Sequence, residues 1–171
     1  MLLREVRFDV IKGNISEIAY LAEGIGTTKG VDANLDALST EGNLSWHTDL
    51  ARKVSAQTGA AIVISGPIDI VADSHEAWAI RNGHPMMANI TGTGCMSAGV
   101  IGCCAGADPQ ALLPSCVCAM SAMGICGELA YEKLLSVDGG SGTYRVLLMD
   151  AMSKLDGTTL THRSKAERLR I

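Results

Sequence analysis

Residues 82–99 read NGHPMMANITGTGCMSAG and place two glycines directly before a cysteine at the start of an uncharged segment. Gly92 and Gly94 lack side chains, so the backbone can approach a ligand closely, and the amides at a helix N-terminus favour an anion. TGTGC therefore predicts either a site for negative charge or a structural turn that starts a helix. A thiol at a helix start is suited to act as a nucleophile or base, which makes Cys95 a candidate for chemistry.

The composition favours one globular domain over residues 1–171. The chain is 47% hydrophobic and 19% charged, with a formal net charge of −4. The mixed C-terminal segment THRSKAERLRI is the closest approach to a basic run, which argues against nucleic acid as the main partner. The first ten residues, MLLREVRFDV, mix charges with apolar residues and lack the apolar centre of a signal peptide, so we expect a cytoplasmic protein.

Cysteine spacing and two uncharged windows exclude further classes of protein. The six cysteines include no C-x-x-C spacing, which argues against a zinc site or a disulfide framework. The windows at 90–107 and 109–127 approach the roughly 20 residues that span a bilayer. The prolines of the second window and the many small residues of both instead favour two buried helices of a soluble protein, with no membrane partner.

Alternating apolar patterns predict an α/β fold, a sheet flanked by helices. Strands are expected at 8–13, 60–65, 69–73 and 78–82. A loop is expected over 24–42, with a helical turn at 34–38 and the segment GIGTTKG near a nucleotide. Helices are expected at 15–24, 44–59 (with Ser45 as a cap), 95–105, 109–134 and 142–155, followed by a charged tail.

Three blocks of the sequence together resemble hydroxyethylthiazole kinase: RFDVIKGNISEI at 7–18, SGPID at 65–69 and NGHPMMANITGTGCMSA at 82–98. The resemblance extends over essentially the whole chain. It implies a ribokinase-like α/β fold with a mostly parallel sheet flanked by helices. This chain would be the C-terminal part of that fold. It also implies ATP- and Mg²⁺-dependent phosphorylation of the primary alcohol of 4-methyl-5-(2-hydroxyethyl)thiazole in thiamine biosynthesis.

The resemblance assigns roles to the residues of TGTGC. Gly92, Thr93 and Gly94 would form the anion hole around the transferring phosphoryl group, with Gly92 also close to the thiazole alcohol. Cys95 stands where most ribokinase-like kinases carry an aspartate base, and it would accept or orient the hydroxyl proton. Positioning and charge stabilisation dominate phosphoryl transfer, so a weak base can suffice.

The resemblance also assigns the nucleotide and metal contacts. Asn14 and Glu17 match an N-x-x-E motif that holds Mg²⁺ through its water shell; from the residues alone, Glu17 also fits a solvated helix face. Ser65 matches a position near the ATP phosphates, although it also fits a turn before Gly-Pro. Lys12 replaces an ATP-contacting arginine of the family and keeps the charge without the planar, bidentate fork.

Two departures from the family keep other functions open, namely the lysine at position 12 and a difference in length. Members of the family carry about 100 further residues upstream, which would hold the first strands of the sheet, substrate-lining positions and a second carboxylate for Mg²⁺. The alternatives are a non-catalytic part that at most binds nucleotide, and a kinase of another small alcohol such as hydroxymethylpyrimidine. Cys95 argues against the latter, because aspartate is expected there.

The resemblance further implies a homotrimer. His84 is interpreted as a turn or core histidine.

Overall fold

The computed structural model describes residues 2–24 and 40–170. The predicted helical turn at 34–38 and the segment GIGTTKG, apart from Gly24, lie outside these residues. The elements in chain order are α1 Leu2–Glu5, β1 Val10–Asn14, α2 Ile15–Gly24, α3 Leu44–Thr58, β2 Ala61–Ser65, β3 Asp69–Ala72, β4 Ala77–Ile80, a 3-10 helix Pro85–Asn89, α4 Thr93–Ala107, α5 Leu112–Leu134, α6 Ser141–Lys154, α7 Gly157–Arg163 and β5 Ala166–Arg168.

The five strands form one sheet in the order β1-β2-β3-β4-β5. The predicted α/β class is confirmed, while the mostly parallel sheet that the resemblance implies for the whole fold is not the pattern of these five strands. Only β1 and β2 are parallel, and the other three pairs are antiparallel. For β2–β3 and β3–β4 the cause is the length of the connection, because residues 66–68 and 73–76 are short turns, whereas a parallel pair needs a crossover of a dozen or more residues, such as the one that contains α2 and α3.

The charged tail adds a helix and an edge strand that the sequence analysis did not predict. Residues 166–168 of β5 pair with residues 78–80 of β4. Two ion pairs support this edge, from Arg81 to Glu167 at 2.8 Å and from Arg168 to Glu76 at 2.6 Å. A strand of three residues with two charges carries no apolar pattern, which is why it read as a tail.

Helices cover both faces of the sheet. On one face, Ile62, Ile64 and Ile70 pack in a core with residues of α2 and α3. On the other face, Val63 and Val71 pack with residues of α4 and α5. Burial on both faces explains the unbroken apolar run of β2, which has no polar alternation.

The two windows predicted as buried helices differ in burial. α5 is long and apolar enough to cross a membrane by length and composition, yet 67% of its most apolar window is buried, as in the core helix of a soluble protein. α4 buries only Ser97 and Ile101, so the prediction of burial is wrong for α4 within the described residues. The prediction of Ser45 as the cap of α3 is wrong. Ser45 is the second residue of the helix, and Asn43 occupies the N-cap position.

Candidate functional site

Residues from three strands lie in one row at the edge of the sheet that is formed by the carboxyl ends of β1 and β2. β1 and β2 are parallel, so their carboxyl ends meet there, and the register pairs Asn14 with Ser65. The register of β2 with β3 pairs Ile64 with Ile70, and its next step brings Ser65 opposite Asp69. The crevice outside the carboxyl ends of parallel strands is where open α/β sheets bind ligands.

The glycines of TGTGC shape the start of α4. Gly92 precedes the helix in the left-handed region, with φ of 95°, a conformation that favours glycine. Its carbonyl oxygen accepts a hydrogen bond from the amide of Met96 at 2.9 Å. The amides of Thr93, Gly94 and Cys95 therefore come before the first intrahelical donor. With the positive end of the helix dipole, they make a suitable place for an anion.

Lys12 joins β1 to this helix start. Its Nζ atom donates a hydrogen bond to the carbonyl oxygen of Gly94 at 3.2 Å. The hydroxyl of Ser97 donates to the same carbonyl at 2.8 Å. The ammonium group is thus held beside the first turn of α4, and its charge has the sign that a phosphate requires.

Asn14 and Glu17 form a reciprocal cap at the start of α2. The amide of Asn14 donates to Oε2 of Glu17 at 2.7 Å, and the amide of Glu17 donates to Oδ1 of Asn14 at 2.9 Å. Both residues are exposed. The pair combines a carboxylate with an amide oxygen in a fixed orientation, which fits a hard cation that keeps most of its waters. Among the described residues, no group of three acidic, His or Cys side chains forms a metal cage.

Ser65 ends β2, directly before the turn to β3. Its side chain is half-buried, and the hydroxyl donates to the carbonyl of Gly13 at 3.4 Å. The amide of Gly66 donates to Oδ1 of Asp69 at 2.9 Å, which closes the turn. Burial raises the pKa of Asp69 to about 7, against the opposing effects of the Gly66 amide and the Lys12 charge.

Cys95 and His84 have different surroundings. Cys95 is exposed in the first turn of α4. His84 accepts a hydrogen bond from the amide of Met86 through Nδ1 at 3.1 Å and so caps the 3-10 helix. Its ring stacks on that of Tyr131, with centroids 3.5 Å apart. The interpretation of His84 as a turn histidine is confirmed.

A cavity lies away from the predicted site residues. It has a volume of about 280 Å³ and is lined by residues of β4, α5 and α7 and by Ser164, among them Trp78, Val117 and Leu160. None of the predicted site residues lines it. The cavity is therefore separate from the row at the edge of the sheet.

Comparison with known proteins identifies the family of the chain. The model of the hydroxyethylthiazole kinase family matches residues 1–158. The chain belongs to this family. It is 50% identical to hydroxyethylthiazole kinase of Desulfovibrio desulfuricans, over 99% of this chain and 62% of that protein. It is 44% identical to the Clostridium acetobutylicum enzyme, over 97% of this chain and 60% of that protein.

A solved structure supports the fold of this family member. The structure of hydroxyethylthiazole kinase protein from Pyrococcus horikoshii OT3 superposes with a TM-score of 0.73 at 23% identity. The match covers 95% of this chain and 55% of that one, and it confirms the ribokinase-like fold. The chain thus spans about three fifths of the length of the two curated relatives named above.

The loop that leads to TGTGC in this family member is held by contacts that the sequence analysis missed. Asn82 is buried, and its Nδ2 donates to Oε1 of Glu128 at 3.2 Å and to the carbonyl of Arg163 at 2.9 Å. Its Oδ1 accepts from the amide of Lys165 at 2.7 Å. A Cβ atom at Gly124 would lie 2.6 Å from the Asn82 backbone, so α5 approaches this loop closely. The short NG turn was the only available signal.

Proposed function

We propose that this chain transfers the γ-phosphoryl group of ATP to the primary alcohol of 4-methyl-5-(2-hydroxyethyl)thiazole, with Mg²⁺. The observation that carries the proposal is the 3.2 Å contact between Lys12 and the Gly94 carbonyl at the start of α4. It brings a cation beside a helix N-terminus at the carboxyl edge of β1 and β2. Such an arrangement suits the charge that develops on a transferring phosphoryl group.

Under this proposal, the phosphates lie between the start of α4 and the strand ends. The amides of Thr93 and Gly94, together with Gly92, receive the transferring group. Lys12 supplies the charge that binds ATP, and Ser65 lies near the same phosphates, in the row with Asn14. These residues position the phosphates and stabilise charge, which is the main contribution of a protein to phosphoryl transfer.

We propose Glu17 and Asn14 as the residues that hold Mg²⁺ through its waters. When bound, the ion neutralises charge on the phosphate oxygens. The reciprocal cap fixes Asn14 Oδ1 and Glu17 Oε2 on backbone amides, which orients both side chains. One carboxylate near a phosphate-bound ion is typical of magnesium sites, which seldom use a cage of protein ligands.

We propose that Cys95 assists the attacking alcohol. The alcohol oxygen forms a bond to the γ-phosphorus, the bond from that phosphorus to the bridging oxygen breaks, and ADP leaves with the electron pair. The hydroxyl proton passes to Cys95 or to water. This role is supported by the exposure of Cys95 and by its position in the first turn of α4.

A second candidate function is nucleotide binding without transfer. It is favoured by the character of the described groups, since Lys12 and the amides at the start of α4 suit phosphate binding whether or not transfer follows. Family membership supports three further proposals: that residues 1–171 belong to one kinase domain, that the protein acts in the cytoplasm, and that it assembles as a homotrimer. Cys95, rather than aspartate, weighs against hydroxymethylpyrimidine as the acceptor.

Release of ADP by the purified 171-residue chain tests the proposal. Mg-ATP would be supplied alone, with the thiazole alcohol, or with hydroxymethylpyrimidine at matched concentration. We expect release that depends on the thiazole alcohol. Binding of Mg-ATP without release in any mixture would favour the second candidate, and release with hydroxymethylpyrimidine alone would reassign the acceptor.

A further inference from the structure

Asp69 is a buried carboxylate at the proposed phosphate site to which neither the family motif nor the proposed mechanism assigns a role. It is the first residue of β3, and the residue is 9% exposed. Strand alternation places Asp69 on the same face of β3 as Val71, and Val71 lies in one register line with Val63 and Lys12. Asp69 therefore lies on the sheet face that bears Lys12 and that α4 and α5 cover.

Asp69 fixes the backbone that follows Ser65. Its Oδ1 accepts the Gly66 amide at 2.9 Å, so the side chain spans the turn of residues 66–68 from its far end. The Gly66 amide is therefore engaged within the protein. Ser65, the last residue of β2, directly precedes Gly66 and pairs with Asn14 of β1.

The surroundings of the carboxylate show why it is suited to a fixed position. A buried carboxylate requires hydrogen bonds or a countercharge, and among the described residues the Gly66 amide and Lys12 favour its charged form. Both belong to the proposed phosphate site or adjoin it. Burial also means that the side chain has little freedom to turn away from Gly66.

We propose that Asp69 is a positioning residue that holds Ser65 in place for the phosphates of ATP through its hydrogen bond to the Gly66 amide. This inference rests on the proposed function. It differs from a purely structural role, because a structural role would lower stability without a selective effect on nucleotide binding. It also differs from a role of the charge, because the hydrogen bond alone carries the effect.

Four variants separate these roles. Asp69→Asn keeps an oxygen acceptor for the Gly66 amide and removes the charge, whereas Asp69→Ala removes both. Ile70→Val shortens a fully buried neighbour on the opposite sheet face and controls for general destabilisation. Ser65→Ala removes the hydroxyl on which Asp69 would act. If Asp69→Ala does not fold, Asp69→Ser replaces it, since its short hydroxyl lacks the reach of the carboxylate.

The measurement is the dissociation constant of a non-hydrolysable ATP analogue with Mg²⁺, by titration calorimetry. We expect Asp69→Ala to weaken binding about tenfold, and Asp69→Asn and Ile70→Val to remain within about threefold of the parent. In the Ser65→Ala background, the effect of Asp69→Ala should disappear, because the two residues act as one unit.

Each other outcome has a defined meaning. Unchanged binding by Asp69→Ala would overturn the inference and leave the proposed function intact. Equal losses in Asp69→Asn and Asp69→Ala would overturn it in favour of the charge, and full additivity with Ser65→Ala would overturn the action through Ser65. A folded parent that does not bind the analogue would overturn the proposed function and this inference together.

Discussion

The Nζ atom of Lys12 lies 3.2 Å from the carbonyl oxygen of Gly94, although 82 positions separate the two residues in the sequence. The contact joins the middle of β1 to the first turn of α4. It therefore places a cation and a helix N-terminus where the same phosphate can meet both.

Replacing Lys12 by methionine should weaken binding of Mg-ATP by about tenfold or more, because a charge-assisted hydrogen bond to phosphate is lost. Lys12→Arg should equal or exceed the parent, since a guanidinium group binds phosphate through two donors. Titration calorimetry measures both. Lys53→Met, an exposed lysine on α3 across the sheet, is the control. Equal affinities of Lys12→Met and this control would remove Lys12 from the nucleotide site.

Cys95→Ala should lower kcat by about tenfold and leave the KM for ATP nearly unchanged, because the thiol acts on the alcohol and not on the nucleotide. Cys103→Ala is the matched control: it is also exposed on α4, about 12 Å further along the helix axis. Steady-state kinetics with varied alcohol and ATP separate the two constants. Full activity of Cys95→Ala would exclude the thiol from the reaction.

Glu17→Gln should raise the Mg²⁺ concentration needed for half-maximal activity while leaving the melting temperature close to that of the parent. Glutamine can still accept the Asn14 amide, so the cap of α2 is kept and only the charge is lost. Glu23→Gln, an exposed acid at the other end of α2, is the control. Activity measured against Mg²⁺ concentration gives the result, and identical curves would return Glu17 to a purely helical role.

Gly13→Ala should destabilise the fold by about 1–3 kcal/mol, as overpacking does. A Cβ atom there would lie 3.0 Å from both Cβ and Oε2 of Glu17, so it would press on the side chain that caps α2. Gly99→Ala in α4, where the new atom meets open space, should instead raise the free energy of unfolding by roughly 0.5–1 kcal/mol. Urea unfolding compares them. A Gly13→Ala variant as stable as Gly99→Ala would contradict this packing.

The stability of the parent should fall as the pH rises towards and through about 7, to an extent that depends on Asp69. Burial raises the pKa of Asp69 to about 7 from 3.8, so over that interval the folded chain keeps a proton that the unfolded chain has released. Burial lowers the pKa of His47, which acts in the opposite direction at mildly acid pH.

Comparison with Asp69→Asn cancels the contribution of His47. The stability of this variant relative to the parent should increase between about pH 5 and pH 8. Asp49→Asn, an exposed residue of α3, should show no such trend. Urea unfolding at several pH values gives the difference, and a constant difference for Asp69→Asn would mean that the pKa of Asp69 is not raised.

Much of the fold could be predicted from local patterns, because β1, α2 and β2 have apolar spacing that matches their burial. TGTGC also predicted a helix start, which the structure places at Thr93, and the resemblance to the family is confirmed. The antiparallel pairs were not predicted, since the direction of β3 and β4 depends on short turns whose residues, such as Gly66 and Pro67, mark only a bend.

The relations within the candidate site required the structure. The contact of Lys12 with Gly94 joins distant segments, and no periodicity records it. The row of Asp69, Ser65 and Asn14 depends on the strand register. A shift of one residue in that register would turn the side chains of the shifted strand to the other face of the sheet. The reciprocal cap of Asn14 and Glu17 was readable as N-x-x-E, but the same letters also matched the metal motif.

The most direct test of the central claim follows the γ-phosphoryl group itself. The parent chain would be incubated with γ-labelled ATP, Mg²⁺ and the thiazole alcohol, and the labelled products separated and identified by mass. We predict label in the phosphate ester of the thiazole alcohol, in large amounts for the parent and in much smaller amounts for Lys12→Met. Label that stays in ATP, or that appears only as inorganic phosphate, would contradict the assignment of this site to phosphoryl transfer.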